Sequence, residues 1–147
     1  LDDSPSSERS LKELMRRQFP HHVQFTLLGV VEPLFFANEP HDKYKEMISK
    51  ADEGRKKHYE HQFDKVRAQL HKHCPAAKVD CEIKFGNAAD EIVDAAKEWH
   101  ADKIIMGAHG RDSCPHNLPG STSKTVARHA PCTVEILRGS EETASTK

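Results

Sequence analysis

A short apolar run, Ile104-Ile105-Met106, leads directly into Gly107-Ala108-His109-Gly110. Nine residues, Arg111 to Pro119, separate it from Gly120-Ser121, and a stretch able to form a helix, Thr122 to Ala130, follows. Strand, glycine-bearing loop and helix start, in that order, constrain the fold more than anything else in the chain. Glycine admits positive φ and lets the backbone come close to a ligand. Successive N–H groups in such a turn form a concavity that takes an anion. The free N–H groups and positive end of the next helix face the same point. The hydroxyls of Ser121 and Ser123 stand where a phosphate would lie. The competing reading is a plain surface connection, because short glycine motifs recur by chance. The strand before the loop and the serine-rich helix start after it favour a phosphate cradle.

The rest of the chain alternates strand and helix signals. Ser4-Pro5-Ser6-Ser7 marks a helix start, with Ser6 or Ser7 as the cap. Leu11, Leu14 and Met15 follow at helical spacing, and the element is expected to end near Phe19-Pro20. His22 to Val31 is almost continuously apolar and predicts a strand buried on both faces. Glu32 to Pro40 holds two prolines and reads as a loop. A long helix is expected from Asp42 to His73, its period carried by Tyr44, Met47, Ile48, Ala51, Tyr59, Phe63, Val66 and Leu70. Gly54 costs about 1 kcal/mol relative to Ala and predicts a kink or break there. Val79, Cys81 and Ile83 alternate with charges as a strand should. Gly86-Asn87 turns the chain, and Asn87 caps a helix with the stripe Ile92, Val93, Ala96 and Trp99. Lys103 to Met106 and Thr133 to Leu137 are the remaining strands. This alternation implies a parallel sheet with helices on both faces, and such sheets bind ligands beyond the carboxyl ends of their strands.

The chain has 147 residues, enough for one domain; it is read as residues 1–138 with a polar tail at 139–147. A formal net charge of −1 signals no nucleic-acid partner. No apolar run approaches the ~20 residues that span a bilayer, so no membrane partner is expected, and the polar start Leu1-Asp2-Asp3-Ser4 shows no signal peptide. Cys74, Cys81, Cys114 and Cys132 include no CxxC pair and read as free thiols of a cytoplasmic protein. Most of the histidines are read as solvated. Of the sets His58/His61, His71/His73/Cys74 and His109/Cys114/His116, none has a recognised zinc spacing, and the last is the one worth testing. No P-loop, kinase-type H-R-D or D-F-G set, or Rossmann G-x-G-x-x-G occurs. Asp3-Ser4-Pro5-Ser6-Ser7 also lacks the glycines of an S-G-G-x-D-S pyrophosphate loop. Catalytic residues are therefore not assigned.

The G-x-x-G-x9-G-S spacing, together with Asp90-Glu91-Ile92 and Ala101-Asp102-Lys103-Ile104-Ile105-Met106-Gly107, resembles the ATP-binding branch of the universal stress protein family. Leu1-Asp2-Asp3-Ser4, Gly29-Val30-Val31-Glu32-Pro33 and Ala130-Pro131-Cys132-Thr133-Val134 resemble further segments of it, in the same order. The resemblance implies an open α/β fold, a five-stranded parallel sheet of order 3-2-1-4-5 flanked by helices on both faces. It also implies a cytoplasmic stress-response sensor that binds ATP, or AMP or ADP, with Mg²⁺. At most it would hydrolyse ATP slowly or phosphorylate itself. By the same resemblance Asp2 lies near the ribose or adenine and Val31 lines the adenine pocket. Met106, Gly107, His109 and Gly110 hold the ribose and first phosphate, and Gly120, Ser121, Thr122 and Ser123 hold the outer phosphates. Homodimers would form through the Thr133–Leu137 edge strand.

Two departures from the family pattern bear on these expectations. Only Leu1 remains of the family's apolar first strand, so a preceding segment is expected in the whole molecule. The loop Arg111 to Pro119 carries Pro115, Pro119 and Asp112, which oppose a helical turn and add negative charge; Arg111 offsets the latter. That loop favours the alternative, a nucleotide-free dimeric interaction module of the same fold.

Overall fold

The computed structural model describes residues 1–2, 4–32, 42–108 and 120–138. Its elements run α1 (Pro5–Leu14), β1 (Gln24–Val31), α2 (Asp42–His73), β2 (Lys78–Phe85), α3 (Ala88–Glu98), β3 (Lys103–Gly107), α4 (Ser121–His129) and β4 (Thr133–Leu137). The chain divides into two compact units. One holds Leu1 and Phe19–Ile92, the other Asp2–Gln18 and Val93–Lys147.

In the first unit β1 and β2 pair in parallel from Gln24↔Lys78 to Val31↔Phe85. Leu27, Gly29 and Val31 form the buried face of β1, while Thr26, Leu28 and Val30 on the other face are half-buried. The sequence leads one to expect burial on both faces; full burial is reached only where α2 packs. The α2 stripe Tyr59, Phe63, Val66 and Leu70 supplies that core, and its i, i+4, i+7, i+11 spacing is one face of a helix. Gly29 is required there: a Cβ would sit 2.6 Å from the Tyr59 ring. The Tyr59 hydroxyl also donates to the Val30 carbonyl at 3.1 Å. α2 runs unbroken through Gly54. That glycine is exposed, so a helix anchored by its buried stripe tolerates the local propensity loss. Ala51, expected on the apolar face, is exposed as well.

In the second unit β3 and β4 pair in parallel from Lys103↔Thr133 to Gly107↔Leu137, and α1 packs on β3. Helix α1 ends at Leu14 rather than near Phe19. Phe19 instead meets Phe25 edge-on, with ring centroids 5.0 Å apart, in the first unit. The cap of α1 is Ser4, not Ser6 or Ser7: its hydroxyl accepts from Ser7 N–H at 3.1 Å. Pro5 then occupies the first helical position, where a missing N–H costs nothing. Val126 and Ser123 are the buried residues of α4.

The described strands thus form two parallel pairs, β1-β2 and β3-β4. The fold is α/β with parallel strands and flanking helices. Among the described residues no helix is long and apolar enough to cross a membrane. No group of His, Cys, Asp or Glu among them could hold a metal ion. Cys74, Cys81 and Cys132 are free thiols. Cys114, His109, His116 and the tail 139–147 lie outside the described residues.

Candidate functional site

The carboxyl end of β3 and the start of α4 are joined through one carbonyl. Ala108 continues the strand ladder by donating its N–H to Leu137 at 3.1 Å, and its oxygen accepts from Gly120 N–H at 2.7 Å. The Ser123 hydroxyl lies 3.1 Å from the same oxygen and 3.0 Å from the Gly120 carbonyl. The two ends of the segment 109–119 therefore meet at Ala108 and Gly120, and the first turn of α4 is tied to the end of β3.

That first turn is left open. Gly120 is the N-cap residue, with φ −64° and ψ 171°, and provides no side-chain cap. The N–H groups of the first helical positions have no partner inside a helix. Among the described residues none caps Ser121, Thr122 or Ser123, and the first turn holds no acidic residue. Three amides and a positive helix end, in a first turn that carries no carboxylate of its own, make a donor set suited to an anion.

The sequence-predicted residues fall as follows. Met106, Gly107, Gly120, Ser121, Thr122 and Ser123 are brought together by the β3–Ala108–α4 junction. Ser123 is 2 % exposed, and its hydroxyl hydrogen is directed at backbone carbonyls, so its amide is the donor left for a ligand. Asp2 lies in the same unit, before α1. Its Oδ1 accepts from the Ser4 amide at 3.1 Å and the Ser4 hydroxyl at 2.6 Å. Val31 lies in the first unit at the carboxyl end of β1. Its side chain is 1 % exposed, and its carbonyl accepts from Gly86 N–H at 3.1 Å. His109 and Gly110 lie outside the described residues.

Sequence reasoning missed Ala108 and Ser6. Ala108 acts through its carbonyl, which no residue type advertises; its position between strand end and loop was the available signal. Ser6 packs over Gly107, where a Cβ would come within 3.1 Å of the Ser6 hydroxyl and 3.3 Å of that of Ser10. It reads in sequence as a cap, and only the structure shows it turned inward.

A parallel α/β chain with an uncapped helix start beyond a strand end belongs to the broad class whose fold presents backbone donors at strand carboxyl termini. Within that class, the family model described as "Universal stress protein family" matches residues 1–138, and the chain belongs to that family. It is 41% identical over 56 residues to a universal stress protein of Methanothermobacter thermautotrophicus, a match spanning 38% of each chain and thus well under two thirds of that relative. Its structure is similar to that of universal stress protein UspA from Lactobacillus plantarum, with a TM-score of 0.76 and 27% identity over 94% of this chain and 93% of that one. It shares its fold with a universal stress protein solved in complex with cAMP, at TM-score 0.57 and 18% identity, covering 95% and 93% of the two chains.

Proposed function

We propose that this chain is a cytoplasmic stress-response protein that binds an adenine nucleotide, its phosphates held by the backbone amides of Ser121, Thr122 and Ser123. The observation that carries the reading is the first turn of α4, which among the described residues has no cap and no carboxylate and is tied to the end of β3. Family membership supports it, and so does the cAMP named for a relative of the same fold. ATP is the first candidate, with ADP and AMP beside it. Met106, Gly107, His109 and Gly110 serve the ribose and first phosphate, and Asp2 and Val31 the nucleoside. With Val31 sealed, its part in that proposal falls to the backbone. A first turn without carboxylates suits phosphate. It leaves Mg²⁺ to the nucleotide, as that ion keeps several waters and needs few protein ligands. The pairs β2-β1 and β3-β4 are the 3-2 and 4-5 neighbours of the order 3-2-1-4-5, and we include that order in the proposal.

Calorimetric titration with ATP, ADP, AMP and cyclic AMP tests the reading. Saturable heat with at least one of them is expected. No heat and no thermal shift at millimolar concentration of any of them overturns it.

The second reading is a dimeric interaction module without nucleotide. It is favoured by the commitment of Asp2 to Ser4 and by the sealed side chain of Val31. The homodimer is proposed under both readings, through β4, whose alternate residues Val134 and Ile136 are apolar. A strand edge of that kind pairs readily with a second copy. Val134→Lys or Ile136→Lys is expected to shift gel-filtration elution to the monomer; unchanged elution argues against β4 as the interface.

A further inference from the structure

Two serines one turn apart on α1, Ser6 and Ser10, both lie over Gly107 and are both buried. Their hydroxyls differ. That of Ser10 donates to the Ser6 carbonyl at 2.8 Å. Ser6 as a residue is only 6 % exposed; among the described residues its hydroxyl has no hydrogen-bond partner, and its oxygen is not one of those fully shielded from solvent. Unlike Ser10, Ser6 has no helical carbonyl one turn back to bond, because that residue, Asp2, precedes α1, so its hydroxyl hydrogen remains available to an acceptor from outside the chain. The Ser6 hydroxyl instead stays against Gly107. That residue adjoins Ala108, whose carbonyl anchors the open start of α4. Gly107 lacks the Cβ that would crowd this oxygen.

We propose that Ser6 is a ligand-binding residue, donating its hydroxyl hydrogen to an oxygen of the ribose or first phosphate of the nucleotide. This rests on the nucleotide reading above and adds to it a contact from α1. A ligand whose outer phosphates sit on the α4 amides passes the carboxyl end of β3 at Gly107, where Ser6 meets it. The absent side chain at Gly107 keeps that passage and the hydroxyl clear.

The test is titration of the full chain and of Ser6→Ala, Ser10→Ala and Gly107→Ala with AMP and ATP, alongside thermal unfolding without nucleotide. Ser6→Ala is expected to weaken both nucleotides about five- to tenfold, the range for one lost hydrogen bond, with unfolding unchanged. Ser10→Ala, whose hydroxyl is internally engaged, leaves affinity unchanged. Gly107→Ala weakens binding and adds little on top of Ser6→Ala, because both act on the same oxygen. Adenosine assigns the acceptor: a matching loss there points to the ribose, and a loss confined to AMP and ATP to the phosphate. If the unaltered chain binds nucleotide and Ser6→Ala binds equally well, the role of Ser6 falls and the nucleotide reading stands. If the unaltered chain binds none of them, both fall.

Discussion

The first turns of α3 and α4 present the same three backbone amides and treat them in opposite ways. At α3, Ala88 N–H goes to the Glu32 carboxylate at 3.0 Å, and Ala89 and Asp90 N–H go to Asn87 Oδ1 at 3.1 and 3.2 Å. Asp90 and Glu91 add negative charge to the same turn. Helix α1 is built likewise, with Ser4 as cap and Glu8 in its first turn. At α4 the cap is a glycine, no acid is present, and the one buried hydroxyl, that of Ser123, faces carbonyls. A side-chain cap is worth about 1 kcal/mol. Among the described residues that contribution is made at α1 and α3 and not at the helix leaving the carboxyl end of β3. The difference separates an end that serves stability from one that leaves its donors available.

The strongest way to break this contrast is to give α4 what α3 has. Ser121→Asp places a carboxylate in the open, exposed first turn. Nucleotide affinity is expected to fall about tenfold or more, near 1.4 kcal/mol, by repulsion of phosphate. Stability of the free protein is expected to rise by about 0.3–1 kcal/mol through the helix dipole. Opposite signs in calorimetry and urea unfolding are the signature; loss of both would mean the substitution disrupts the junction. The reverse change is smaller. Asn87→Ala removes two amide partners at α3 and is expected to cost about 1 kcal/mol in urea unfolding with nucleotide affinity unchanged. A matching loss of affinity would erase the division between the two helix starts.

Much of this was legible in the sequence. The strand–glycine–helix spacing located the β3–α4 junction, and Asn87 after Gly86 announced the α3 cap, because turn and cap residues act through local backbone chemistry. The stripe Tyr59, Phe63, Val66 and Leu70 was legible for the same reason, being one periodic face. Capping of α1 was misplaced because three serines flank one proline, and only the geometry of Pro5 at the first helical position selects Ser4. The break expected at Gly54 did not form, since tertiary burial of the stripe outweighs one residue's propensity. The role of Ala108 was illegible, being carried by a carbonyl. The inward turn of Ser6 was illegible too, since it depends on the absence of a side chain at Gly107, far away in sequence.

The smallest effect carries the comparison from backbone donors to side chains, to an anion the protein partners internally. Glu135 on β4 meets Arg17 at 2.5 Å and Lys103 at 3.4 Å. The Arg17 hydrogen bond, with the nearby positive charges, holds its carboxyl below the ordinary glutamate value of 4.5, against a smaller opposing effect of burial. A carboxylate lowered on folding stabilises the fold in full above its unfolded pKa, and the contribution is lost as pH falls through the lowered folded value. The pair is partly exposed, so Arg17→Met is expected to cost only a few tenths of a kcal/mol to about 1 kcal/mol at pH 7. That cost should shrink in high salt and disappear in urea unfolding as the pH falls through the lowered value and Glu135 takes up its proton. A cost that persists unchanged in acid would assign the contact to packing of the Arg17 stem. It would then remove the parallel between this internal anion and the external one that α4 is left open to receive.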